Sequence, residues 1–216
     1  MSQKYKYPRT YHVPWSPGTT SDDRLLKSVD QFVGKRVVVT EKMDGENTTM
    51  SKDYVHARSL DSMYHPSRDY VRTVRGNISH MIPDNSLRIC GENCFAAHSI
   101  TYTQLEDHFL AFSVWIDTTC LSWDDTVEWC EHLGLKTVPV LYRGEWNEEL
   151  VKSLYVHKRE PDLMEGYVIR VEESFTYDDF ALSVAKYVRK DHVSTSNHWL
   201  EQAIVVNGCK PSTPKT

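Results

Sequence analysis

Residues 37–47 read VVVTEKMDGEN, a β-branched run that leads directly into an acidic turn containing glycine. Valine and threonine favour extended backbone, so the stretch predicts a β-strand that delivers Lys42 into the turn. A lysine amine attacks a phosphate only when it is unprotonated. We therefore expect a partly desolvated, electropositive surround that lowers the pKa of Lys42. Gly45 lacks a Cβ atom, which lets the backbone turn closely around a bound phosphate.

The pattern Lys-x-Asp-Gly is by itself also typical of an exposed charged hairpin turn. Five further fragments, however, follow it in the chain. They are VHARS (residues 55–59), LRICGEN (87–93), FLAFSVWID (109–117), EGYVIR (165–170) and VAKYVRK (184–190). Their order and spacing argue against a chance origin of the lysine motif.

With these fragments the chain resembles the covalent nucleotidyltransferases, which comprise polynucleotide ligases and mRNA capping enzymes. It is most similar to the ATP-dependent RNA ligase family, in particular to the small branch allied to nick-sealing RNA ligases. The likeness covers roughly residues 5 to 200. The opening YPRTYHVPWSPG (7–18), followed by Asp22 and Asp23, looks like the leader that precedes the lysine motif in such proteins. Asn47 matches a position that contacts phosphate or the acceptor end in nick-sealing RNA ligases, which favours RNA over DNA.

The resemblance implies a covalent mechanism that uses ATP and Mg²⁺ (or Mn²⁺). Lys42 is expected to attack the α-phosphate, expel pyrophosphate and carry AMP as a phosphoramidate. Glu165 is expected to restrain Lys42 and, with Glu92, to hold the metal through water, while Lys186 neutralises the α-phosphate. The implied catalytic residues are Lys42, Glu165 and Lys186. The implied nucleotide-binding residues are Glu41, Asn47, Arg58, Glu92, Phe112, Lys186 and Lys190.

The resemblance also assigns contacts to the nucleoside. Arg58 is expected to clamp the ribose or a phosphate with its planar donors, and Glu92 to accept the ribose hydroxyl. Strict alternation along the aromatic strand puts Phe112 on one face and Trp115 on the other, so only one of them can face the base. We expect Phe112 to stack on adenine, with Trp115 as the competitor.

The last fragment departs from the family pattern. That pattern commonly has two lysines separated by one residue, but Val188 stands two residues after Lys186. The second cation is then expected to be Arg189 or Lys190.

Length and composition are those of a globular enzyme. The chain has 216 residues, of which 40% are hydrophobic and 25% charged, and its net charge is −5. It contains no apolar run of the roughly 20 residues that a membrane span needs and no signal peptide. The five cysteines show no metal-binding spacing, so we expect free thiols and a cytoplasmic protein.

Local patterns predict an α+β protein. Strands are predicted at 36–41, 47–51, 54–58, 87–92, 109–117, 138–142, 165–172 and 181–189. Helices are predicted at 122–133, with a capping box at Ser122 and a stop at Gly134, and at 147–158, 194–205 and 68–79. The mixture indicates mainly antiparallel sheets with flanking helices. The resemblance implies two such sheets, a nucleotidyltransferase (ATP-grasp-like ligase adenylation) domain without an OB-fold.

The expected organisation is a leader over residues 1–35, the nucleotidyltransferase domain over 36–205 and a flexible tail over 206–216. The residues after Lys190 are too few for an OB-fold domain. We therefore expect a bare catalytic domain, which acts alone or with a protein partner in place of the missing domain. The oligomeric state stays open.

The expected function is that of an ATP-dependent RNA ligase, which joins an RNA 5′-phosphate to a 3′-hydroxyl. The alternatives are a minimal DNA ligase, a capping-type nucleotidyltransferase and, from another class, a catalytically silent nucleic-acid-binding module. The intact lysines and glutamates of the motifs speak against the silent module. Expected RNA contacts are Asn47, Lys52, Arg68, Arg72 and Arg75.

Overall fold

The computed structural model of the protein describes residues 3–156, 163–190 and 203–211. The strands in these ranges are β1 (Tyr11–His12), β2 (Arg36–Lys42), β3 (Glu46–Met50), β4 (Val55–Ala57), β5 (Leu87–Asn93), β6 (Phe109–Ile116), β7 (Thr119–Cys120), β8 (Lys136–Thr137), β9 (Val140–Glu145), β10 (Gly166–Val171), β11 (Phe175–Thr176) and β12 (Val184–Val188). The α-helices are α1 (Asp69–Ile78), α2 (Trp123–Leu133), α3 (Glu148–Ser153) and α4 (Phe180–Ser183). None of the helices described is long and apolar enough to cross a membrane.

These strands form two sheets. The first has five strands in the order β1-β12-β10-β2-β9. The second has seven, with the order β11-β7-β6-β5-β3-β4 and with β8 paired to β6. The pairs β1–β12 and β6–β8 are parallel, and the other pairs are antiparallel. The predicted α+β class with two mainly antiparallel sheets is confirmed.

Alternation along β2 divides its valines between two cores. Val37 and Val39 belong to a buried cluster that also contains Ile169 of β10 and Trp115 of β6, so this cluster joins the two sheets. Val38 points the other way, into a second cluster. Because both faces of β2 are buried, its continuous run of apolar residues is what the strand requires. A further cluster packs α1 and α2 against the seven-stranded sheet.

Most of the predicted elements are present, with shifts at their ends. The helix at 122–133 forms as α2, where Ser122 Oγ accepts a 3.1 Å hydrogen bond from Asp125 N and Gly134 has a φ of 69°. The strand predicted at 181–189 begins only at Val184, because residues 180–183 form α4. The helix predicted at 147–158 ends at Ser153, and residues 157–158 lie outside the described ranges.

The C-terminal segment differs from expectation. Residues 203–205 are not helical, and 194–202 of the predicted helix lie outside the described residues. Residues 206–211, expected to be flexible, pack against the connection between β5 and β6, through the bridges Ala96–Val206 and Leu105–Cys209. Asn207 is only 3% exposed. Its amide makes two hydrogen bonds to that connection, which explains why the segment is held there.

The cysteines are free thiols, as predicted. Cys90, Cys94, Cys120 and Cys130 are buried, and Cys209 is exposed. Burial raises the pKa of Cys120 to about 11 and that of Cys130 to about 12, so both are held as inert thiols.

Candidate active site

Lys42 lies where the chain leaves one sheet for the other. It is the last residue of β2, and β3 begins at Glu46 in the seven-stranded sheet. In the turn between them, a Cβ atom on Gly45 would lie 2.5 Å from the carbonyl oxygen of Asn93. Only glycine permits this approach of two backbones. Gly45 thus allows close approach to the backbone of β5, and not to a bound phosphate as we had expected.

Strand register aligns the two lysines of the motifs. Thr40, Val168 and Lys186 lie opposite one another across β2, β10 and β12, and Lys42 lies opposite Gly166 in the next row. Directly paired residues, and residues two apart along a strand, share one face of a sheet. Lys42 and Lys186 therefore project from the same face.

A cavity of about 370 Å³ separates this face from the seven-stranded sheet. Its volume is in the range of about 300–1,000 Å³ that small-molecule sites occupy. Seven of the residues singled out by the sequence line it, namely Glu41, Lys42, Asn47, Arg58, Glu92, Phe112 and Lys186. Glu165 joins them through its contact with Lys42.

Carboxylates surround Lys42. Its Nζ donates a 2.6 Å hydrogen bond to Oε2 of Glu165, whose side chain is 1% exposed. Burial acts to lower the pKa of Lys42, but the negative charges of Glu165, Glu92 and Asp44 outweigh it and raise the pKa above its ordinary value. The expected electropositive surround with a lowered pKa is therefore wrong for the ligand-free protein. Lys42 is held as an ammonium ion.

The two glutamates are also perturbed. Burial raises the pKa of Glu92 to about 8 and that of Glu165 to about 7, although the charge of Lys42 acts in the opposite direction on both. Glu92 Oε1 accepts a 3.2 Å hydrogen bond from the Gly45 N–H. Buried carboxylates in excess of their cationic partners suit a divalent cation, and Mg²⁺ typically takes one or two carboxylates and completes its shell with water and phosphate oxygens. Glu92 and Glu165 are two such carboxylates, and among the described residues no group of three or more His, Cys, Asp or Glu side chains could hold an ion by itself.

Asp44, the acid of the lysine motif, is committed to the protein's own backbone. Its Oδ2 accepts hydrogen bonds from Ser99 N and Oγ, both at 2.8 Å, and from Ile100 N at 2.7 Å. The Asp44 N–H donates to the hydroxyl of Tyr102 at 2.9 Å. These bonds tie the turn that carries Lys42 to the connection between β5 and β6. The sequence analysis gave Asp44 no role, and only its place in the motif pointed to one.

A β-bulge in β6 decides which aromatic side chain reaches the cavity. Two consecutive residues of β5 pair with Ser113 and Ala111, which leaves Phe112 without a partner on β5. The extra residue breaks the alternation, so Phe112 and Trp115 lie towards the same core, and Val114 lies towards the other. Phe112 lines the cavity, whereas Trp115 is 1% exposed within the core. The predicted placement of Phe112 and Trp115 on opposite faces is wrong.

The cations expected after Lys186 do not reach the cavity. β12 ends at Val188, which is 2% exposed, and the N–H of Arg189 then donates a 2.9 Å hydrogen bond to the carbonyl oxygen of Glu165. Neither Arg189 nor Lys190 belongs to the cavity wall as the described residues define it. The nucleotide-binding position predicted for Lys190 is therefore not one that the structure supports.

The leader supplies a wall that the sequence analysis did not assign to the site. Tyr7, Pro8, Arg9, Thr10, Thr20, Asp22 and Asp23 line the cavity. The ring of Tyr7 meets that of Phe112 edge-to-face at 5.2 Å, and its carbonyl oxygen accepts a 3.3 Å hydrogen bond from Arg58 Nε. Arg9 donates a 2.6 Å hydrogen bond to the carbonyl oxygen of Asp22. Two guanidinium groups, of Arg9 and Arg58, thus face one cavity. The sequence feature that could have placed these residues in the site was the likeness of residues 7–23 to the family's leader.

Most of the basic residues expected to contact RNA are engaged elsewhere. Arg68 forms a two-pronged ion pair with Glu46 at 2.5 and 2.7 Å and is 11% exposed. Lys52 and Arg75 donate to backbone carbonyl groups at 2.9 and 2.6 Å. Arg72 forms an ion pair within α1. Arg68 is therefore a structural partner of Glu46 and is not available to RNA.

Comparison with known proteins agrees with this architecture. A family model described as RNA ligase matches residues 35–188, and no curated protein matches the sequence. An apo mutant of Naegleria gruberi RNA ligase is similar in structure, with a TM-score of 0.53 and 17% identity over 74% of this chain and 51% of that chain. The structure of the same ligase with pyrophosphate has a TM-score of 0.53 and 19% identity, over 74% of this chain and 51% of that chain. A mutant of this ligase with ATP and Mn has a TM-score of 0.53 and 17% identity, over 75% of this chain and 52% of that chain.

The chain thus spans about half the length of these ligase structures, and at this identity the likeness shows the fold. The family model, in contrast, covers well over half of the chain and extends from the residue before β2 to the end of β12. The protein belongs to the RNA ligase family.

Proposed function

We propose that the protein is an ATP-dependent RNA ligase. In this proposal Lys42 forms a lysyl–AMP intermediate, AMP passes to an RNA 5′-phosphate, and that end is sealed to a 3′-hydroxyl. The observation that carries the proposal is the placement of Lys42 in the wall of a nucleotide-sized cavity, 2.6 Å from Glu165 and on the same sheet face as Lys186. Membership of the RNA ligase family supports the reaction class.

The first step is a displacement at the α-phosphorus of ATP. Lys42 passes one proton to Glu165, the group at hydrogen-bonding distance whose pKa of about 7 suits it to accept one. The free amine attacks, a P–N bond forms, and the P–O bond to pyrophosphate breaks with its electron pair. The nitrogen then loses a second proton to water or to the departing pyrophosphate. Lys186 offsets the negative charge that gathers on the α-phosphate.

The remaining cavity residues bind the nucleotide in this proposal. Phe112 stacks on adenine, Glu92 accepts a ribose hydroxyl, and Arg58 binds ribose or phosphate. Glu92 and Glu165 would hold a Mg²⁺ or Mn²⁺ ion through water, and that ion would supply positive charge to the phosphates. Solved Naegleria gruberi RNA ligase structures that contain ATP and Mn support this choice of donor and metal.

Asn47 is the proposed contact to the RNA end. It lines the cavity two residues after Gly45, and its Oδ1 is buried without a hydrogen-bond partner. A buried acceptor of this kind costs free energy until a donor reaches it, and a terminal ribose hydroxyl is such a donor. Since Arg68 is paired and the net charge is −5, we also propose that a protein partner adds RNA-binding surface. The free thiols suit a reducing, cytoplasmic setting.

Self-labelling tests the proposal directly. The full chain is incubated with ATP labelled on the α-phosphate and Mg²⁺, and we expect an acid-labile, base-stable adduct on the 25.1 kDa protein. Lys42→Ala should abolish the adduct. The matched control is Lys27→Ala, which removes an exposed lysine outside the cavity and should label normally. An adduct on Lys42→Ala would move the nucleophile elsewhere, and stronger competition by unlabelled GTP than by ATP would favour a capping-type enzyme.

The acceptor is tested with nicked duplexes that differ only in the terminal 3′ sugar. We expect sealing to require a 5′-phosphate and to be faster when the 3′ nucleotide is a ribonucleotide, at low salt. Low salt is used because so small a basic surface neutralises few phosphates and binds RNA weakly, and added salt weakens that binding further. Equal or faster sealing of the all-DNA nick would make a minimal DNA ligase the better description.

A further inference from the structure

The leader reaches the lysine of the last motif through a short parallel strand. β1 pairs with β12 so that His12 lies beside Lys186. The chain then folds back, and His12 exchanges backbone hydrogen bonds with Arg24 and Leu26 at 2.7 and 2.8 Å. This return brings Asp23 to the edge of the cavity, next to the end of the Lys186 side chain.

Four groups converge on the Asp23 carboxylate. Its Oδ2 accepts 3.0 Å hydrogen bonds from both the N–H and the hydroxyl of Thr20. Its Oδ1 lies 3.2 Å from Nε2 of His12 and 3.6 Å from Nζ of Lys186. The Thr20 bonds fix one oxygen and leave the other directed at Lys186.

His12 is itself fixed from behind. Its ring is 1% exposed, and Nδ1 lies 2.8 Å from Oγ of Ser16. Ser16 Oγ in turn accepts a 2.9 Å hydrogen bond from the N–H of Val188, two residues after Lys186. Burial lowers the pKa of His12 to about 4, so the ring is neutral and adds no charge to the cluster.

Each lysine on the cavity face therefore has its own carboxylate. Lys42 has Glu165, at 2.6 Å, and Lys186 has Asp23, at 3.6 Å. The charged groups that face Lys186 are Lys42 from β2, Glu165 from the segment before β10 and Asp23 from the leader. Two ammonium groups that share a cavity repel each other, and Asp23 is the carboxylate on the side of Lys186 away from β2.

We propose that Asp23 is a positioning residue of the ligase site, whose negative charge, 3.6 Å from Nζ of Lys186, holds the ammonium where it can contact the α-phosphate of ATP. A lysine side chain is flexible, and a fixed carboxylate beside it restricts the positions that its ammonium samples before the phosphate binds. The leader is then a working part of the adenylation site. This inference rests on the proposed function, since it assigns Lys186 a phosphate to bind.

The test is the rate of self-adenylylation by the full chain at increasing ATP concentration. Asp23→Asn keeps an acceptor for Thr20 but removes the charge, and we expect its maximal rate to fall about tenfold, with the ATP concentration for half-maximal rate changed less than about threefold. Asp23→Glu restores the charge and should recover part of the rate. Asp30→Asn removes an exposed carboxylate of the same leader and should match the wild type.

A double-mutant cycle separates positioning from a structural role. If Asp23 acts through Lys186, then Asp23→Asn will not slow a Lys186→Ala protein any further. An equal slowing in both backgrounds, a wild-type rate for Asp23→Asn, or a rate loss that follows a loss of thermal stability would each overturn the proposal. A wild-type chain that does not label itself would instead overturn the proposed function, and this inference with it.

Discussion

Nζ of Lys42 lies 2.6 Å from Oε2 of Glu165, so the proposed nucleophile and the proposed acceptor of its proton already form a hydrogen-bonded pair in the ligand-free protein. The pair is unequal in exposure, with 24% of the Lys42 side chain exposed and 1% of that of Glu165. ATP can therefore reach Lys42 from the cavity, while the Glu165 side chain lies behind it and is almost fully buried. Because the two groups interact, they titrate as a pair, and the rate of adenylylation should follow the ionisation of that pair.

The rate of self-adenylylation should rise about tenfold per pH unit below pH 7 and level off above it. In the reactive form, Lys42 and Glu165 share one dissociable proton. This form is lost on the acid side because Glu165, with a pKa of about 7, becomes protonated. On the alkaline side it persists, because the pKa of Lys42 is raised by its carboxylate neighbours. Single-turnover labelling between pH 5.5 and 9 measures the profile.

Glu165→Gln is the control for that profile, because ionisation of ATP affects both proteins alike. Its labelling should be slow and should lack the break near neutral pH. A wild-type rate that keeps rising through pH 9 would show that the proton leaves to solvent and not to Glu165.

Glu92→Gln should stabilise the ligand-free protein at pH 8 while it abolishes labelling. Burial raises the pKa of Glu92 from an ordinary 4.5 to about 8, so the folded state holds this proton more tightly than the unfolded state. The resulting stabilisation is complete below pH 4.5 and is lost as pH rises towards 8. Glutamine cannot ionise and should raise the free energy of unfolding at pH 8 by about 1–3 kcal/mol, with little change at pH 5.

Urea unfolding at both pH values, without nucleotide and with chelator, measures this difference. Glu173→Gln, at an exposed position, should be neutral at either pH. A lower unfolding free energy for Glu92→Gln at pH 8 would contradict the prediction, and would mean that ionised Glu92 stabilises the fold through Lys42.

Phe112→Ala and Trp115→Ala should separate binding from stability. Phe112 lines the cavity, and loss of a base-stacking ring costs about 1–3 kcal/mol, so ATP affinity should fall at least about fivefold. Trp115 is 1% exposed in the core that joins the sheets, and its truncation should destabilise the protein by about 3–5 kcal/mol. Nucleotide competition and urea unfolding measure the two effects. The opposite pattern would make Trp115 the stacking residue.

Local patterns in the sequence were sufficient to predict the α+β class and most strands, and the family resemblance supplied the two-sheet arrangement. The run before Lys42 and the capping residues of α2 act over a few positions, and such signals survive in a single sequence. Motif order likewise predicted which side chains would share the cavity, since Lys42, Glu92, Phe112 and Lys186 all line it.

The errors concern relations between distant segments. The bulge at Phe112 is a mismatch between β5 and β6, which alternation within β6 alone does not reveal. The raised pKa of Lys42 depends on Glu165, 123 positions away, and the leader wall depends on the pairing of β1 with β12. The packed segment around Asn207 was expected to be flexible because its sequence, rich in glycine, proline and polar residues, is typical of tails.

Asn207→Ala should destabilise the fold and disturb the site from a distance. The Asn207 side chain accepts a 2.8 Å hydrogen bond from Tyr102 N and donates one of 2.8 Å to the carbonyl oxygen of Cys94, so alanine would leave both partners unsatisfied. Two such losses cost about 2–5 kcal/mol together. Because Tyr102 also accepts a hydrogen bond from Asp44, next but one to Lys42, labelling should slow at temperatures where the protein is still folded. Lys210→Ala removes only an exposed ion pair with Glu106 and should cost less than about 1 kcal/mol. Urea unfolding and labelling rates measure both variants, and equal stability of the two would mean that the C-terminal segment does not hold the β5–β6 connection.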